Sequence, residues 1–528
     1  MGNDSRPAEP GQRLAQWMED RLGHRGASRS VRRLVFPGHW SFMLGEIALY
    51  SLVVLLITGV YLSFFFHPSS DLVVYEGGYL PLRGQLVSEA FDSTLHLSFD
   101  VRGGLLIRQA HHWAALVFVA ALLAHMLRVF FTGAFRKPRE LNWVLGFLLL
   151  VLAMFGGLTG YDLPDDLLSG TGLRVVHGTL LSVPVVGTYL SFFLFGGEFP
   201  GDDLIARFNI LHVLVIPGLV IAVIVGQLAL AVRHRHAQFP GPGRTDTNVV
   251  GLPFRVYAVK AVGFFFLVSG VIFFMAAVAQ INPVWNYGPF RPDQVSAGSQ
   301  PDWYMGVADG FLRVMPGWEI DFWGRTLALD TFLPLLVGVL FFLAMGAYPF
   351  IEAWVTGDNR EQHLLDRPRN RPVRTGLGVA WLSVYLVALI GAANDLIAIR
   401  LHVSVNAVTW AVRIGLLVVP VLAFVVTVRL ALGLQRRDRD KVLHGRESGV
   451  IKRLPHGGYV EIHVPLDQER LHTLTAHEQH RPLGGGGSTA GRLQRLRAGL
   501  SRGLYGPGTQ VPKPTEAEHK EISGRHRS

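Results

Sequence analysis

Four histidines lie in stretches apolar enough to be buried in a membrane, and their spacing suits metal-bound cofactors. His111, His112 and His125 share one stretch, and His212 lies in another. Ionisable side chains at membrane depth are costly and usually mark a functional site. His111 and His125 are 14 residues apart, which returns a side chain to within about 40° of the same helix face, about 21 Å further along. This spacing predicts two stacked cofactors, whereas the alternative is that each histidine is hydrogen-bonded between helices.

Glycines repeat the same interval in two further apolar stretches. Gly45 and Gly59 are 14 residues apart, and so are Gly146 and Gly160. Glycine has no Cβ atom, so a neighbouring helix or a flat macrocycle can approach its backbone closely. Matching intervals in three stretches favour two macrocycles at two depths over helix contact alone.

Two arginines flank the histidines of the first stretch. Arg108 lies three residues before His111, and Arg128 lies three residues after His125. Their guanidinium groups could pair with haem propionates at either face of the membrane. The chain has no cysteine, which excludes internal disulfides, thiolate iron–sulfur clusters and covalently attached c-type haem.

The elements that position these residues are predicted to be membrane helices. Of the 528 residues, 50% are hydrophobic and 17% are charged, and the mean hydropathy is +0.32, values that point away from a soluble protein. Eight apolar runs are long enough to cross about 30 Å of hydrocarbon. They cover residues 47–66, 113–133, 141–160, 210–232, 258–279, 329–350, 377–399 and 408–433. A further apolar segment, residues 175–195, is interrupted by Gly178, Pro184 and Gly187.

The positions of the charged residues decide between eight and nine spans. With eight spans, five basic clusters fall on one side, which the positive-inside rule identifies as the cytoplasm. The clusters are Arg25, Arg29, Arg32 and Arg33; Arg136, Lys137 and Arg139; Arg233, Arg235 and Arg244; Arg360, Arg367, Arg369, Arg371 and Arg374; and Arg436, Arg437, Arg439 and Lys441. A ninth span would break this pattern, so residues 175–195 are predicted to form a short helical hairpin at the outer surface.

Five regions follow from this topology. Residues 1–40 are a polar cytoplasmic N-terminus, 41–235 a four-helix half that holds the cofactors, and 250–433 a second four-helix half with a long outer loop. Residues 434–466 are predicted to be a cytoplasmic extension, and 467–528 a disordered tail. The net charge of +10 is interpreted as a topology signal. The basic tail is interpreted as solvated or in contact with anionic lipid headgroups, and not as a nucleic-acid site.

Several motifs together resemble those of a known family. They are Arg108-x-x-His111, His125-x-x-Arg128, the two 14-spaced glycine pairs, and Pro301-Asp302-Trp303-Tyr304. Residues 163–172 (LPDDLLSGTG), 238–244 (QFPGPGR) and 451–457 (IKRLPHG) also match. Over about residues 36–465 the chain resembles cytochrome b of the quinol–cytochrome c reductases, most of all the actinobacterial branch. The resemblance implies an all-α polytopic fold, an outer b haem held by His111 and His212, and an inner b haem that uses His125.

One position departs from that family. The resemblance leads us to expect a second histidine 14 or 15 residues after His212, where this chain has Gly226 and Gln227. His234 lies 22 residues on, about 33 Å along a helix, and is too far away. The Leu-Ala-Leu that follows Gln227 matches the family pattern, so the resemblance implies Gln227 at the ligand position. Because glutamine is a weak donor, the inner haem would be five-coordinate, water-ligated, weakly ligated by Gln227, or absent.

The resemblance also places a quinol oxidation pocket beside Asp302. Quinol oxidation releases two protons, and a partly desolvated carboxylate can accept one of them, while Tyr304 could orient the quinol headgroup. Without the family context, this motif is a turn followed by interfacial aromatic residues. His236, Asp246 and Lys260 are weaker candidates for an inner quinone site, because surface residues of these types need no function.

The resemblance implies a subunit that oxidises menaquinol at the outer face of the cytoplasmic membrane, with both termini in the cytoplasm. Its expected partners are a Rieske iron–sulfur subunit, a c-type cytochrome subunit, a cytochrome c oxidase in a supercomplex, and a second copy in a dimer. The alternative is a divergent paralogue that lacks a working inner haem and binds quinone or plays a structural part. A transporter with intramembrane histidines is a third hypothesis, which predicts no haem.

Overall fold

The structure, a computed structural model, describes residues 34–296, 300–475, 482–484 and 491–505. Within these residues, eight helices are long and apolar enough to cross a membrane, which confirms the predicted number of spans. They are Trp40–Ser63, Gly104–Thr132, Glu140–Asp162, Leu204–His234, Phe254–Val278, Leu329–Thr356, Pro372–Ala392 and Val405–His444. The basic cluster predicted at residues 25–33 lies outside the described residues.

The helices are numbered in chain order. They are α1 (Met43–Ser63), α2 (Glu89–Phe99), α3 (Gly104–Thr132), α4 (Glu140–Asp162), α5 (Leu167–Leu181), α6 (Gly187–Phe195), α7 (Leu204–His234), α8 (Phe254–Val278), α9 (Val284–Tyr287), α10 (Gly306–Val314), α11 (Leu329–Thr356), α12 (Pro372–Ala392), α13 (Asn394–Leu401), α14 (Val405–His444), α15 (Gln468–Thr475) and α16 (Arg492–Tyr505). Helix α7 contains a π-helical turn at Leu211–Val215. Short 3-10 turns lie at Trp40–Phe42, Leu80–Leu82 and Pro368–Asn370.

Four antiparallel two-stranded sheets complete the described fold. Strand β1 (Val35–Phe36) pairs with β4 (Leu252–Pro253), and β2 (Leu72–Val74) pairs with β3 (Leu86–Ser88). Strands β5 (Glu319–Phe322) and β6 (Arg325–Ala328) form one hairpin, and β7 (Arg446–Arg453) and β8 (Tyr459–Val464) form another.

Helices α1, α3, α4 and α7 form the first half, in which α1 packs along α3 and α4 packs along α7. Their shared core contains Leu52, Phe118, Leu149 and Val220. Tyr304, from the loop that precedes α10, reaches into the same core. This contact attaches the Pro301–Tyr304 segment to the histidine-bearing bundle.

The second half consists of α8, α11, α12 and α14. Helix α8 lies on α1 and α3, whereas α12 packs along α14 and α10. Many large apolar side chains on the outward faces of these helices are exposed, for example Phe266 at 67% and Leu417 at 76%. Outward-facing apolar side chains of this kind suit a helix in contact with lipid.

Three arginine-rich loops meet at one end of the bundle, which we call the arginine face (residues 133–139, 235–253 and 357–371). Arg139 donates to the carbonyl oxygens of Arg235 (3.1 Å) and Gln362 (2.8 Å). Asp246, a weak candidate for an inner quinone site, accepts from the backbone N–H groups of His363 (2.8 Å) and Leu364 (3.0 Å). Asp246 therefore joins two loops, which assigns it a structural part.

A buried ion-pair network crosslinks α11 and α12 beneath this face. Arg374 forms two hydrogen bonds with Glu352, at 2.5 and 2.9 Å, and a third with Asp366 at 2.8 Å. Asp366 also contacts Arg136 and Arg371. Burial opposes ionisation of Asp366, but its arginine partners hold the pKa of its carboxyl well below the usual range.

Several span boundaries differ from the prediction. The second span was expected to begin at residue 113, but its helix begins at Gly104, and the last two spans also end elsewhere. The seventh span was expected to end at residue 399, but α12 ends at Ala392 and α13 begins at Asn394. The buried Asn394 side chain donates to Thr409 Oγ1 on α14, so the chain turns there to satisfy a polar group. Helix α14 continues to His444 beyond the expected residue 433, because Arg369 binds Asp438 on its added turns.

Residues 175–195 form the predicted surface hairpin, with α5 and α6 separated by a turn at Pro184. The expected disorder after residue 467 is wrong for α15 and α16, and the rest of that tail lies largely outside the described residues. Helix α16 is ordered against α11, where Ala498 is buried and Arg497 Nε donates to the Trp354 carbonyl oxygen. Composition alone could not anticipate this docking surface.

Candidate functional site

His111 on α3 and His212 on α7 face each other inside the first bundle. Their ring centroids are 6.1 Å apart and their planes are inclined by 70°. Two imidazoles that bind one metal ion from opposite sides, with metal–nitrogen distances of about 2 Å, place their ring centres about 6 Å apart. The pair therefore fits bis-histidine ligation of a single iron.

Hydrogen bonds select the nitrogen that each ring presents. The hydroxyl of Thr58 donates its one hydrogen to the Val54 carbonyl oxygen (2.7 Å), so its oxygen accepts from His111 Nδ1 (2.9 Å). His212 Nδ1 must donate to the Gly156 carbonyl oxygen (2.9 Å), since a carbonyl only accepts. Both rings consequently keep Nε2 unprotonated, which is the form that binds a metal.

The glycines of α1 lie opposite the histidines of α3. A Cβ atom at Gly59 would lie 3.2 Å from Cε1 of His111, and one at Gly45 would lie 3.1 Å from Cε1 of His125. These distances are tighter than ordinary van der Waals contact, so neither position has room for a side chain beside its histidine. Each of these two glycines of α1 therefore lies against one histidine of α3, at two different levels.

The glycines of α4 face α7 in the same manner. A Cβ atom at Gly160 would overlap the ring of His212, and one at Gly146 would lie 3.3 Å from Nε2 of Gln227. Gln227 therefore occupies, relative to Gly146, the position that His212 occupies relative to Gly160. The four candidate ligands thus form an upper pair, His111 and His212, and a lower pair, His125 and Gln227.

A π-helical turn decides between Gly226 and Gln227. The turn spans Leu211–Val215 and includes His212. Such a turn adds one residue to a helix, so a 14-residue interval becomes 15 and the position level with His125 falls on Gln227. Single π turns recur at functional sites, and here the turn sets the register of the two levels.

Threonines that bind the upper pair were not anticipated from the sequence. Thr58 and Thr159 each directly precede a glycine of the upper level, and Thr159 Oγ1 lies 3.3 Å from His212 Nδ1. At the lower level the corresponding residues are Leu44 and Leu145. The Thr-Gly pair that recurs at residues 58–59 and 159–160 was thus the signal in the sequence that distinguished the upper level from the lower one.

The lower histidine has fewer partners. His125 is within the bundle, and its Nδ1 has no hydrogen-bond partner among the described residues. A Leu at position 44 offers none, whereas Thr58 binds His111 at the upper level. The two levels consequently differ in their supporting contacts as well as in their ligands.

Arg108 and Arg128 lie near the two ends of this arrangement. Arg108 Nε is buried without a partner among the described residues, and its guanidinium carbon lies 5.6 Å from the centre of the Trp285 ring. Arg128 Nε donates to the Ser41 carbonyl oxygen at 3.3 Å and its guanidinium group lies over Phe42. The unpaired N–H of Arg108 fits an anionic group such as a propionate.

Asp302 is held by two side chains. Its Oδ2 accepts from the Tyr304 hydroxyl (2.8 Å), and its Oδ1 lies 3.2 Å from Nε2 of His112. Tyr304 is almost fully buried and packs over Gly157, and burial, together with the Asp302 carboxylate, raises the pKa of its phenol well above the usual range. His112 was noted among the membrane histidines, but its contact with a loop residue was not predicted.

An apolar cavity begins at Tyr304 and extends between the two halves of the molecule. Met154 lines it near Tyr304, whereas Trp143, Tyr348 and Trp381 line its far part. Its apolar and aromatic lining suits an apolar ligand or a hydrocarbon chain.

The loop that carries Asp302 is joined to the loop after α4. Leu167 N–H donates to the Gly288 carbonyl oxygen, and Phe290 N–H donates to the Asp165 carbonyl oxygen, both at 2.9 Å. Asp166 is fully buried at the start of α5, where its carboxylate accepts from Leu168 N–H and the Ser169 hydroxyl. Burial raises the pKa of Asp166 to about 6.

Known proteins similar to this chain carry one family description. Residues 116–289 match the family described as cytochrome b(N-terminal)/b6/petB. The chain is 60% identical to the cytochrome bc1 complex cytochrome b subunit of Streptomyces coelicolor, over 98% of this chain and 97% of the relative. It is 51% identical to the corresponding subunit of Mycobacterium bovis, over 90% of this chain and 88% of the relative.

This chain belongs to the cytochrome b subunits of cytochrome bc1 complexes. A chain of a solved hyperthermophilic respiratory Complex III shares the fold of this cytochrome b, with a TM-score of 0.57 and 20% identity, over 78% of this chain and 99% of that chain. The predicted fold class and the actinobacterial resemblance are thereby confirmed.

Proposed function

We propose that this cytochrome b oxidises a quinol beside Asp302 and directs the two electrons to different acceptors. The observation that carries the proposal is the contact between Asp302 and His112. His111 directly precedes His112, so this contact places the Asp302 carboxylate, which can accept a proton, beside the neighbour of a candidate iron ligand. Proton and electron acceptors therefore meet at one end of the cavity.

The residues of the upper level fit a b haem. His111 and His212 have the required separation and present Nε2, and Arg108 offers an unpaired N–H group. A bound haem would supply reversible one-electron chemistry. In the proposed arrangement, a second b haem lies at the lower level, beside His125, Gly45 and Gly146.

Asp302 is proposed as the proton acceptor. Its hydrogen bonds with Tyr304 and His112 hold both carboxylate oxygens, so the carboxylate is oriented before the substrate arrives. A quinol hydroxyl that donates to Asp302 would lose its proton as the quinol is oxidised, which is general-base catalysis. Tyr304 is proposed to position the carboxylate and the quinol headgroup.

The apolar cavity is proposed to receive the substrate. Its wall at Tyr304 meets the proposed catalytic segment, and its other lining residues are apolar or aromatic. A quinol with a long hydrocarbon chain matches such a lining. The actinobacterial relatives lead us to propose menaquinol, which carries a chain of this kind.

The second electron requires partners, since the chain has no cysteine for an iron–sulfur cluster or a c-type haem. We propose a Rieske iron–sulfur subunit and a c-type cytochrome subunit, with a cytochrome c oxidase in a supercomplex and a second copy in a dimer. The Asp302 end would face outward and the arginine face would lie in the cytoplasm, with both termini there.

The test is quinol–cytochrome c reductase activity of the purified complex with Asp302→Asn. We expect turnover to fall by a factor of about 10²–10⁴, and Asp302→Glu to restore part of it. Asp293→Asn is the matched control, because Asp293 lies exposed in the same loop. Normal turnover of Asp302→Asn would contradict the proposed base.

A divergent paralogue without a lower haem is the competing proposal, and Gln227 is the observation that favours it. Haem content separates the two. Two b haems per chain by pyridine haemochromogen would support the reductase, whereas a single haem would favour the paralogue. Gln227→His in the same assay shows whether a restored imidazole adds or strengthens the second haem signal.

A further inference from the structure

The two ligand levels of this bundle are equivalent in position but not in chemistry. Provided that the proposed lower haem is bound, we infer that Gln227 would hold its iron only weakly and would leave it open to small neutral ligands such as carbon monoxide and imidazole. The upper level, closed by two histidines, would bind neither.

The chain intervals support the equivalence. Gly59 to His111 and Gly160 to His212 are both 52 residues, whereas Gly45 to His125 is 80 and Gly146 to Gln227 is 81. The one extra residue is the one that the π turn at Leu211–Val215 introduces. Gln227 is thus the counterpart of His125 across the lower level.

Gln227 is a poor substitute for an imidazole. An amide is a neutral and weak donor to iron, whereas imidazole binds iron well. Among the described residues, one side chain forms a hydrogen bond with Gln227: Asn142 Nδ2 donates to its backbone carbonyl oxygen at 3.2 Å. Its side-chain amide is therefore available to donate to a ligand bound beside it, as distal donors do in haem proteins.

The neighbouring side chains do not replace the missing histidine. His234 lies seven residues after Gln227, about 10 Å along the helix. His236 lies beyond the end of α7, with its ring 5.1 Å from that of Phe36. Met126 Sδ lies close to Gly146, but Met126 follows His125 directly, and adjacent helical side chains diverge by about 100° and cannot bind opposite sides of one iron.

His125 itself is less well supported than its upper counterparts. Its Nδ1 has no partner among the described residues, whereas those of His111 and His212 each donate a hydrogen bond of 2.9 Å. Hydrogen bonds to a ligating imidazole increase its basicity and fix its orientation. Both axial contacts of the lower level are thus weaker than those of the upper level.

The experiment uses the purified complex, reduced with dithionite and exposed to carbon monoxide. Haem per chain comes from pyridine haemochromogen, spin state from electron paramagnetic resonance of the oxidised form, and carbon monoxide binding from difference spectra. We expect two haems, one of them high-spin, and one carbon monoxide bound per chain. Titration with imidazole should convert the high-spin signal to low-spin.

Two variants form a matched pair. Gln227→His should abolish carbon monoxide binding and the high-spin signal, whereas His212→Gln should create the same arrangement at the upper level and add a second carbon monoxide site. The imidazole titration of the wild type tests the inference independently, should His212→Gln lose its haem.

Two low-spin haems that bind no carbon monoxide would overturn the inference and leave the proposed function intact. A single haem that resists carbon monoxide would also overturn the inference, since the lower level would not hold haem. A complex without haem would refute the proposed function itself.

Discussion

Thr58→Val removes the hydrogen bond that orients His111 while preserving the shape of the side chain. In the native structure Thr58 Oγ1 accepts from His111 Nδ1 at 2.9 Å, and it is buried. Valine cannot accept, so the imidazole loses its fixed tautomer and part of its basicity. A less basic imidazole stabilises oxidised iron less than the native imidazole would, so the midpoint potential of the proposed upper haem should rise.

The size of the shift follows from the worth of the bond. A buried hydrogen bond contributes about 0.5–1.5 kcal/mol, and a tenfold change in a one-electron equilibrium, about 1.4 kcal/mol, corresponds to about 59 mV. If the full free energy of this hydrogen bond stabilises only the oxidised state, its loss raises the potential by about 20–60 mV. Haem affinity should fall by less than about 100-fold.

The assay is a spectroscopic redox titration of both haems in the purified complex. Thr159→Val is the control, since Thr159 Oγ1 lies 3.3 Å from His212 Nδ1, which keeps its 2.9 Å bond to the Gly156 carbonyl oxygen. We expect this control to change the potential by less than half as much. The lower haem should keep its potential in both variants.

An unchanged upper potential in Thr58→Val, with normal haem content, would refute the assignment of the tautomer. A shift of equal size in Thr159→Val would show that burial of a hydroxyl, and not the hydrogen bond to His111, sets the potential. A shift of the lower potential alone would show that Thr58 and His111 do not belong to the upper level.

Four further predictions concern other parts of the molecule. Asp302→Asn should lower reductase turnover by a factor of about 10²–10⁴, and unchanged turnover would exclude it as the base. Arg374→Met should lower the free energy of unfolding by about 3–5 kcal/mol, because it leaves Glu352 buried and unpaired. Thermal unfolding in detergent measures this loss. The double variant with Glu352→Gln should recover part of it. Burial raises the pKa of Asp166 to about 6 in the folded chain. The protonated carboxyl therefore stabilises the fold below a pH of about 4, and about 3 kcal/mol of this stability is lost as the pH rises through about 6. Asp166→Asn, which keeps the helix cap, should remove this pH dependence. Gly160→Ala should displace His212 and lose the upper haem, measured by haem content, whereas Gly172→Ala, at an open position on α5, should not.

The architecture of the first half was largely predictable. Membrane thickness fixes how long an apolar helix must be, and the 3.6-residue repeat fixes which residues share a face. Both are local properties, so the eight spans, the two histidine levels and the facing glycines could be predicted from intervals along the chain. The ends of α12 and α14 could not, because they depend on Asn394 and Asp438 meeting partners from other segments.

The contacts that define the site were decided by the tertiary structure. Thr58 and His111 are 53 residues apart, and His112 and Asp302 are 190 apart, so no local pattern predicts that they meet. The resemblance already pointed to Gln227, but hydropathy does not reveal the π turn that brings Gln227 level with His125. The sequence indicated which residues could bind haem, through their types and periodic spacing, and the family resemblance indicated Asp302 as a proton acceptor. The packing of separate helices and loops determined which of them face each other, because hydrogen bonding and burial act between segments that are distant along the chain.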